Sequence, residues 1–266
     1  MLVEQIAVNN NLRNYMYLLA CPETREAVAI DPLDHGRVLQ RAKELGWTIR
    51  GVINTHEHYD HIGGNEPVIR ETGATLYAHE AARDKIPNVD VGLAAADVVQ
   101  VGTSLELIAL DTPGHTFCHT CLYYSGEKEQ APALFCGDTL FNAGVGNCHN
   151  GGNPRVMYQT FAEQIFRLPD ATRIYPGHDY IVNNLQFTLD REPGNEAARS
   201  LFAAIEQWSG EKHFISNIAM EKLINTFFRL RNDEVIAGLH DKFNDLEKQP
   251  SEEQVFLKLR ELRNHW

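Results

Sequence analysis

The sequence predicts an α+β fold, with a β-rich part over residues 1–175 and a small helical part over residues 176–266. Three observations carry this. Short apolar, β-branched runs recur as far as Tyr175; four of them run into a turn bearing histidine or aspartate; and beyond His178 strand signals give way to helical periodicity. At 266 residues the chain can bury one large core, or a core domain with a smaller companion.

Taken in order, residues 2–8 alternate or run apolar as a strand does, and Asn9, Asn10 and Asn11 form a turn cluster. Strands over 15–20 and 26–30 follow, the latter ending at Asp31-Pro32, and the tight turns between the first three predict antiparallel pairing. Asp34 is placed to cap a helix over 35–45 whose Val38, Leu39, Ala42 and Leu45 share a face, and Gly46 stops it. A buried strand over 49–54 leads into Thr55. Gly63-Gly64 marks a change of direction, followed by a helix over 66–71 and a strand over 75–78 with His79 just beyond. Residues 98–101 and 105–110 read as two arms of a hairpin, and 121–124, 133–136 and 173–175 as further strands. Asn153-Pro154 reads as an N-cap with proline at the first helical position, opening a helix to about residue 168. In the helical part, 196–208, 233–247 and 251–264 have helical periodicity between breaks.

Composition narrows the function classes. Hydrophobic content of 43% and charged content of 23% are those of an ordinary globular chain, and no apolar run approaches a bilayer span. The beginning of the chain has no basic stretch followed by an apolar one, so the expected compartment is the cytoplasm, with no membrane association. A net charge of −12 argues against nucleic acid as a partner, because such binding rests on a basic face. Five cysteines fit a reducing compartment. Cys118 and Cys121 form a lone Cys-x-x-Cys pair, read as small buried residues behind His115, with a redox pair as the alternative; Cys136 and Cys148 are read as incidental.

The residues that carry chemistry begin at Thr55-His56-Glu57-His58-Tyr59-Asp60-His61, where His56, His58, Asp60 and His61 place four metal-ligand side chains within six residues. A single histidine is more often a packed or solvated residue than a ligand; four such side chains on one strand-end loop call for another account. His56 and His58, two apart on extended backbone, point the same way and can reach one ion, and Asp60 and His61 can reach a second. His115, Asp138 and His178 each follow a short apolar run and a glycine turn, so four loops present ligands at corresponding strand ends. Five histidines and two aspartates exceed what one ion needs. A pair of divalent ions accounts for them, zinc being favoured with iron or manganese possible, and two ions sharing a water are the equipment of a hydrolase.

These residues resemble the metallo-β-lactamase fold superfamily, an αββα sandwich. Within it, Thr-His-Glu-His-Tyr-Asp-His-Ile-Gly-Gly (55–64), Thr-Pro-Gly-His-Thr (112–116), Gly-Asp-Thr-Leu-Phe (137–141), Gly177-His178-Asp179-Tyr180, Asn183-Asn184 and Glu192-Pro193-Gly194-Asn195 resemble glyoxalase II, the hydroxyacylglutathione hydrolase, over the whole chain. The resemblance implies His56, His58 and His115 at one metal, Asp60, His61 and His178 at the other, and Asp138 bridging. It implies attack of a hydroxide held between the metals on the thioester of S-D-lactoylglutathione or a related acyl-glutathione, with Asp60 and Asp138 as catalytic carboxylates. It also implies that Tyr180, Arg260 and Arg263 contact glutathione.

One stretch departs from the family pattern. Where the family has a basic residue followed by an aromatic one after Gly-Cys-Gly, this chain has Asn147 and His149. A charged hydrogen bond contributes ~1.5–3 kcal/mol, so its loss weakens glutathione binding by roughly one to two powers of ten unless Asn147 and His149 rebuild the contact or the thiol carrier differs. Three other readings of the motif stay open: a one-iron persulfide dioxygenase, which Asp60, His61 and His178 oppose; a nucleic-acid-processing member of the fold, which the charge opposes; and a non-catalytic metal-binding relative. The expected assembly is a monomer or weak homo-oligomer.

Overall fold

A computed structural model describes residues 1–126, 130–207 and 213–266. Six strands, β1 (Leu2–Ala7), β2 (Tyr15–Ala20), β3 (Glu26–Ile30), β4 (Thr48–Ile53), β5 (Thr75–His79) and β6 (Val91–Leu93), form one sheet in sequence order. The first three pair antiparallel, as their tight turns predict, and β3 to β6 run parallel. A second sheet has the order β13-β10-β9-β8-β7, from β7 (Val98–Val101), β8 (Leu105–Asp111), β9 (Thr120–Tyr124), β10 (Ala133–Gly137) and β13 (Arg173–Pro176). Between β10 and β13 a short hairpin pairs β11 (Leu140–Phe141) with β12 (Gly144–Val145).

Alternation along the strands builds the layers. Tyr15, Tyr17 and Leu19 of β2 point inward and meet Leu107, Leu122 and Phe135 of the second sheet. Met16, Leu18 and Ala20 point outward, where α1 (His35–Leu45) contributes Val38 and Ala42. Asp34 caps that helix by accepting from Arg37 N, and Gly46 ends it at φ 67°. After the four-residue α2 (Tyr59–Ile62), α3 (Asn65–Thr72) adds Val68 to the same outer layer. On the far side, Cys121, Leu134, Cys136 and Ile174 face Met157 and Phe161 of α4 (Pro154–Glu163) and a set of side chains from the end of the chain, including Phe187, Phe227, Val255, Phe256 and Leu259. The helical part therefore shares an apolar cluster with the second sheet. The result is αββα layering with a C-terminal helical region, as the resemblance implied.

That region comprises α5 (Ile181–Arg191), α6 (Glu196–Glu206), α7 (Ile218–Ile224), α8 (Asp233–His240) and α9 (Glu252–Arg263). Helices α5 and α7, and strands β6, β11 and β12, were not among the expected elements; the last three have only two or three residues each, too few to show a period. The helix expected to run to 168 stops at Glu163, because Gln164 leaves helical geometry (φ −127°) and its amide donates to Asp111 O at 2.6 Å. The helix expected over 233–247 stops at His240, beyond which Lys242 N and Phe243 N both donate to Leu239 O in a turn that does not continue as helix. Helix α6 ends at Glu206, and Trp208, expected within it, lies outside the described residues. All five cysteines are free thiols; Cys118 and Cys121 are both buried, their thiols facing the carbonyls of Ala81 and Cys136.

Glu221 of α7 fastens the helical region to the β11–β12 hairpin. Fully buried, its carboxylate accepts from Ala143 N (2.9 Å), Ser216 Oγ (2.5 Å) and Asn225 Nδ2 (2.8 Å), and Ala143 sits in the left-handed region at φ 59°. Burial raises the carboxyl from 4.5 to about 7. The native state then holds this proton more tightly than the unfolded chain between those values, so the stability Glu221 supplies falls as pH rises through that window. Relative to the parent, Glu221→Gln should therefore gain roughly 2–3 kcal/mol between pH 4.5 and pH 8. Thermal unfolding of both chains at the two pH values measures it, and a pH-independent difference would mean that folding leaves the carboxyl at its ordinary value.

Candidate metal centre

Four strand ends deliver the site. β4 leads into His56 and His58, α2 carries Asp60 and His61, the loop after β8 carries His115, β10 ends at Gly137-Asp138, and β13 leads into His178. All seven expected ligands meet there. His56 Nε2 and His115 Nε2 each lie 3.0 Å from His58 Nδ1. His61 Nε2 and His178 Nε2 lie 3.3 Å apart, with Asp60 Oδ2 3.6 and 3.5 Å from them. Asp138 stands between the two groups, its Oδ2 3.5 Å from His115 Nε2 and 3.3 Å from His178 Nε2, and its Oδ1 3.5 Å from His61 Nε2. Donors held 2.0–2.1 Å from a tetrahedral ion are about 3.3–3.4 Å apart, close to these separations.

Hydrogen-bond accounting fixes which nitrogen of each ring carries the lone pair. His115 Nδ1 faces Asn147 O at 2.6 Å, His58 Nε2 faces Asn150 O at 3.0 Å and His178 Nδ1 faces Leu12 O at 2.7 Å. A carbonyl only accepts, so each of these nitrogens is the donor. His61 Nδ1 donates to Asp31 Oδ2 at 2.9 Å. The Thr55 hydroxyl donates to the same Asp31 oxygen at 2.6 Å and so accepts from His56 Nδ1 at 3.0 Å. All five remaining lone pairs converge on the cluster. Lone pairs do not bond one another, and Asp138 Oδ1 is buried without a hydrogen-bond partner. This donor set is suited to two metal cations, and it forms two triads of candidate ligands, His56–His58–His115 and Asp60–His61–His178.

Charge runs the same way. Burial alone would keep His61 and His178 neutral, yet Asp138 raises both, with Asp31 helping to take His61 to about 9, so this end of the cluster favours positive charge. Burial by itself would raise Asp138, but His178 and His61 hold it well below the usual carboxylate range. His56 and His115 are held low by burial, which keeps them neutral.

Several supporting residues were not anticipated from the sequence. Asp31, at the end of β3 with φ 49°, holds both Thr55 and His61. Asn14 Nδ2 donates to Asp60 Oδ2 and Asp60 O, both at 3.0 Å. His119 is fully buried, stacks on His56 with ring centroids 5.2 Å apart, and accepts from Asp138 N at 3.2 Å. A strand ending in aspartate was a readable signal for Asp31; Asn14 had none.

Asn147, His149, Tyr180, Arg260 and Arg263, the expected carrier contacts, line one cavity of about 290 Å³ with Phe141, Asn184 and Trp266. Tyr180 stacks on His178 at 5.0 Å, so this cavity adjoins the metal cluster. Arg263 packs over Phe187 and Trp266 and donates to Asn184 Oδ1 at 3.3 Å. The Asn147 side chain accepts from His149 N at 3.1 Å and is thereby part of the loop's own turn. Arg260 is 3% exposed and already bonded to Val145 O, Gly146 O and Asn264 Oδ1.

The layers and the cluster define a member of the metallo-β-lactamase superfamily, whose family model matches residues 12–178. Residues 179–266 match a second model, the hydroxyacylglutathione hydrolase C-terminus. Proteins named hydroxyacylglutathione hydrolase from Nitrosococcus oceani and from a Polaromonas species are 57% and 55% identical over 266 residues, which is 100% of this chain and 100% of each relative. The chain belongs to the hydroxyacylglutathione hydrolase family. Among solved structures, ETHE1 from Myxococcus xanthus superposes with a TM-score of 0.67 and 27% identity, covering 94% of this chain and 93% of that one.

Proposed function

We propose that the chain is a metal-dependent thioester hydrolase of the glyoxalase II type, converting S-(2-hydroxyacyl)glutathione, such as S-D-lactoylglutathione, to the hydroxy acid and glutathione. One observation carries this reading: five imidazole lone pairs and two carboxylates converge beside a cavity lined by two arginines and a tyrosine. His56, His58 and His115 would hold one divalent ion, Asp60, His61 and His178 the other, with Asp138 shared. Zinc is the favoured metal, and iron or manganese suit the same nitrogen and oxygen donors. When bound, the two ions supply a nucleophilic hydroxide at neutral pH and a Lewis acid for the thioester carbonyl.

The protein's own groups do the rest. Asn14 fixes Asp60 through Oδ2, and Asp60 Oδ1, with no hydrogen bond from the described residues, can take and hold the proton of the attacking water. Asp138, fixed through its backbone by His119, sets the spacing of the two triads. Tyr180 lies against His178 and offers its hydroxyl to the carrier, and Arg263 offers a guanidinium to a carrier carboxylate. In this reading residues 1–175 form the metal-binding domain and residues 176–266 the substrate-binding one. We further assign the chain to the cytoplasm as a monomer or weak homo-oligomer without a nucleic-acid partner; its net charge of −12 supports the last point, and no described helix is long and apolar enough to cross a membrane.

The test is turnover of S-D-lactoylglutathione by metal-replete protein of measured metal content, beside the matching coenzyme A thioester. Hydrolysis of the glutathione ester is expected, and hydrolysis of the coenzyme A ester alone would transfer the assignment to another carrier. Arg263→Ala should raise KM for the glutathione ester about tenfold or more while changing kcat little, the pattern of a contact made equally in ground and transition states. An equal fall in kcat at unchanged KM would place the carboxylate elsewhere.

A further inference from the structure

We propose that Arg260 is a positioning residue for the metal ligand His115, in addition to lining the carrier cavity; this rests on the metal-centre reading above. His115 Nδ1 donates to Asn147 O at 2.6 Å. The two preceding carbonyls, Val145 O and Gly146 O, accept from Arg260 Nη1 at 3.0 and 2.9 Å. Arg260 Nε donates at 3.1 Å to Oδ1 of Asn264, the residue that follows the end of α9, which orients the guanidinium. Three consecutive carbonyls are thus held between a guanidinium on one side and an imidazole on the other.

The segment has little freedom to relax. A Cβ on Gly146 would fall 1.8 Å from Asp138 O and 3.2 Å from His115 Nδ1, so its backbone lies directly against both ligand residues. Gly146 N also donates to Thr139 O at 3.3 Å. A ring held through Nδ1 turns with its acceptor, so the position of Asn147 O sets the direction of the His115 Nε2 lone pair. Arg260 sets the position of the segment that carries that carbonyl. A charged, buried guanidinium is suited to this because its bonds to neutral carbonyls are stronger than those of an amide and its fork is planar. The family resemblance implied only a carrier contact here, whose loss would show mainly in KM.

A purely structural clamp would also stabilise the hairpin, so the test reads the metal as well as stability. Parent, Arg260→Met, Arg260→Lys and Arg263→Ala chains are loaded with cobalt(II). Affinity for the ion at the triad containing His115 is measured by chelator competition, together with the visible absorption of the bound ion and thermal unfolding. Arg260→Met should bind about tenfold more weakly, at the low end of the loss seen when an outer partner of a metal-bound histidine is removed, and its absorption band should shift. Arg260→Lys, which keeps one cationic donor, should recover part of both; Arg263→Ala should change neither. Should Arg260→Met fail to fold, Asn264→Ala, which releases the guanidinium but keeps both arginines, is expected to weaken binding in the same direction. Parent-like affinity and spectrum in the folded Arg260 or Asn264 variant would overturn the inference, whatever the unfolding temperature. A parent chain that takes up no cobalt would overturn the metal-centre reading itself, and this inference with it.

Discussion

Asp138→Ala is expected to abolish thioester hydrolysis, lowering kcat/KM by about 10,000-fold or more, and to reduce bound metal from a pair of ions to one or none. Asp138 brings its two oxygens within 3.3–3.5 Å of nitrogens from both triads, so it is placed to serve the two together. Its removal leaves converging lone pairs without the negative charge that lifts His61 and His178. A ten-thousandfold loss corresponds to about 5.5 kcal/mol, within the several kcal/mol that metal-assisted charge stabilisation supplies. Asp138→Asn, which keeps the shape and loses the charge, should fall between variant and parent in metal content. Metal analysis and steady-state kinetics on the same preparation decide the matter; an Ala variant that keeps two ions and near-parental turnover would remove Asp138 from the bridging role. His58→Ala should also abolish activity with loss of metal, because His58 Nδ1 is 3.0 Å from both partners in its triad.

All seven candidate ligand positions were legible because each is a side chain of distinctive type, and each stands at or just beyond the end of an apolar strand. That rule depends only on neighbours in the chain. What holds the ligands does not. The acceptors for His58, His115 and His178 are the backbone carbonyls of Asn150, Asn147 and Leu12, and a carbonyl is present at every residue whatever the sequence. Asp31 satisfies the same strand-end rule as Asp138, yet it lies in a loop without histidine, and its relation to His61 exists only once β3 and β4 pair. The layers were legible where alternation ran for five or six residues, as in β2 and β3. The β11–β12 hairpin was not, because its turn is secured by Glu221, 78 residues away from Ala143. Arg260 shows the limit most clearly. The family resemblance implied that it is a ligand for a carboxylate, whereas its burial and its bonds to Val145 and Gly146 follow from where α9 lies on the second sheet.

Gly177→Ala should disable the site by geometry alone. A Cβ at this position would lie 2.4 Å from Asp138 Oδ1 and 2.8 Å from His61 Cε1, inside van der Waals contact with the carboxylate between the triads and with one histidine of the second triad. The backbone has no room to yield, since Gly177 N donates to Gly137 O and Gly177 O accepts from Tyr15 N, each at 2.8 Å, tying the turn after β13 to β10 and to β2 of the first sheet. The carboxylate must therefore rotate or withdraw, and the bridge between the triads lengthens. Overpacking of this kind costs about 1–3 kcal/mol of stability, so the variant should remain folded while kcat/KM falls at least about a hundredfold and the more weakly held ion is lost first. The combination separates a displaced ligand from a general loss of fold: a modest drop in Tm, read by thermal unfolding, beside a large loss of turnover. Parental kinetics in Gly177→Ala would mean that Asp138 can leave this position without consequence, and the role given to its carboxylate would fail with it.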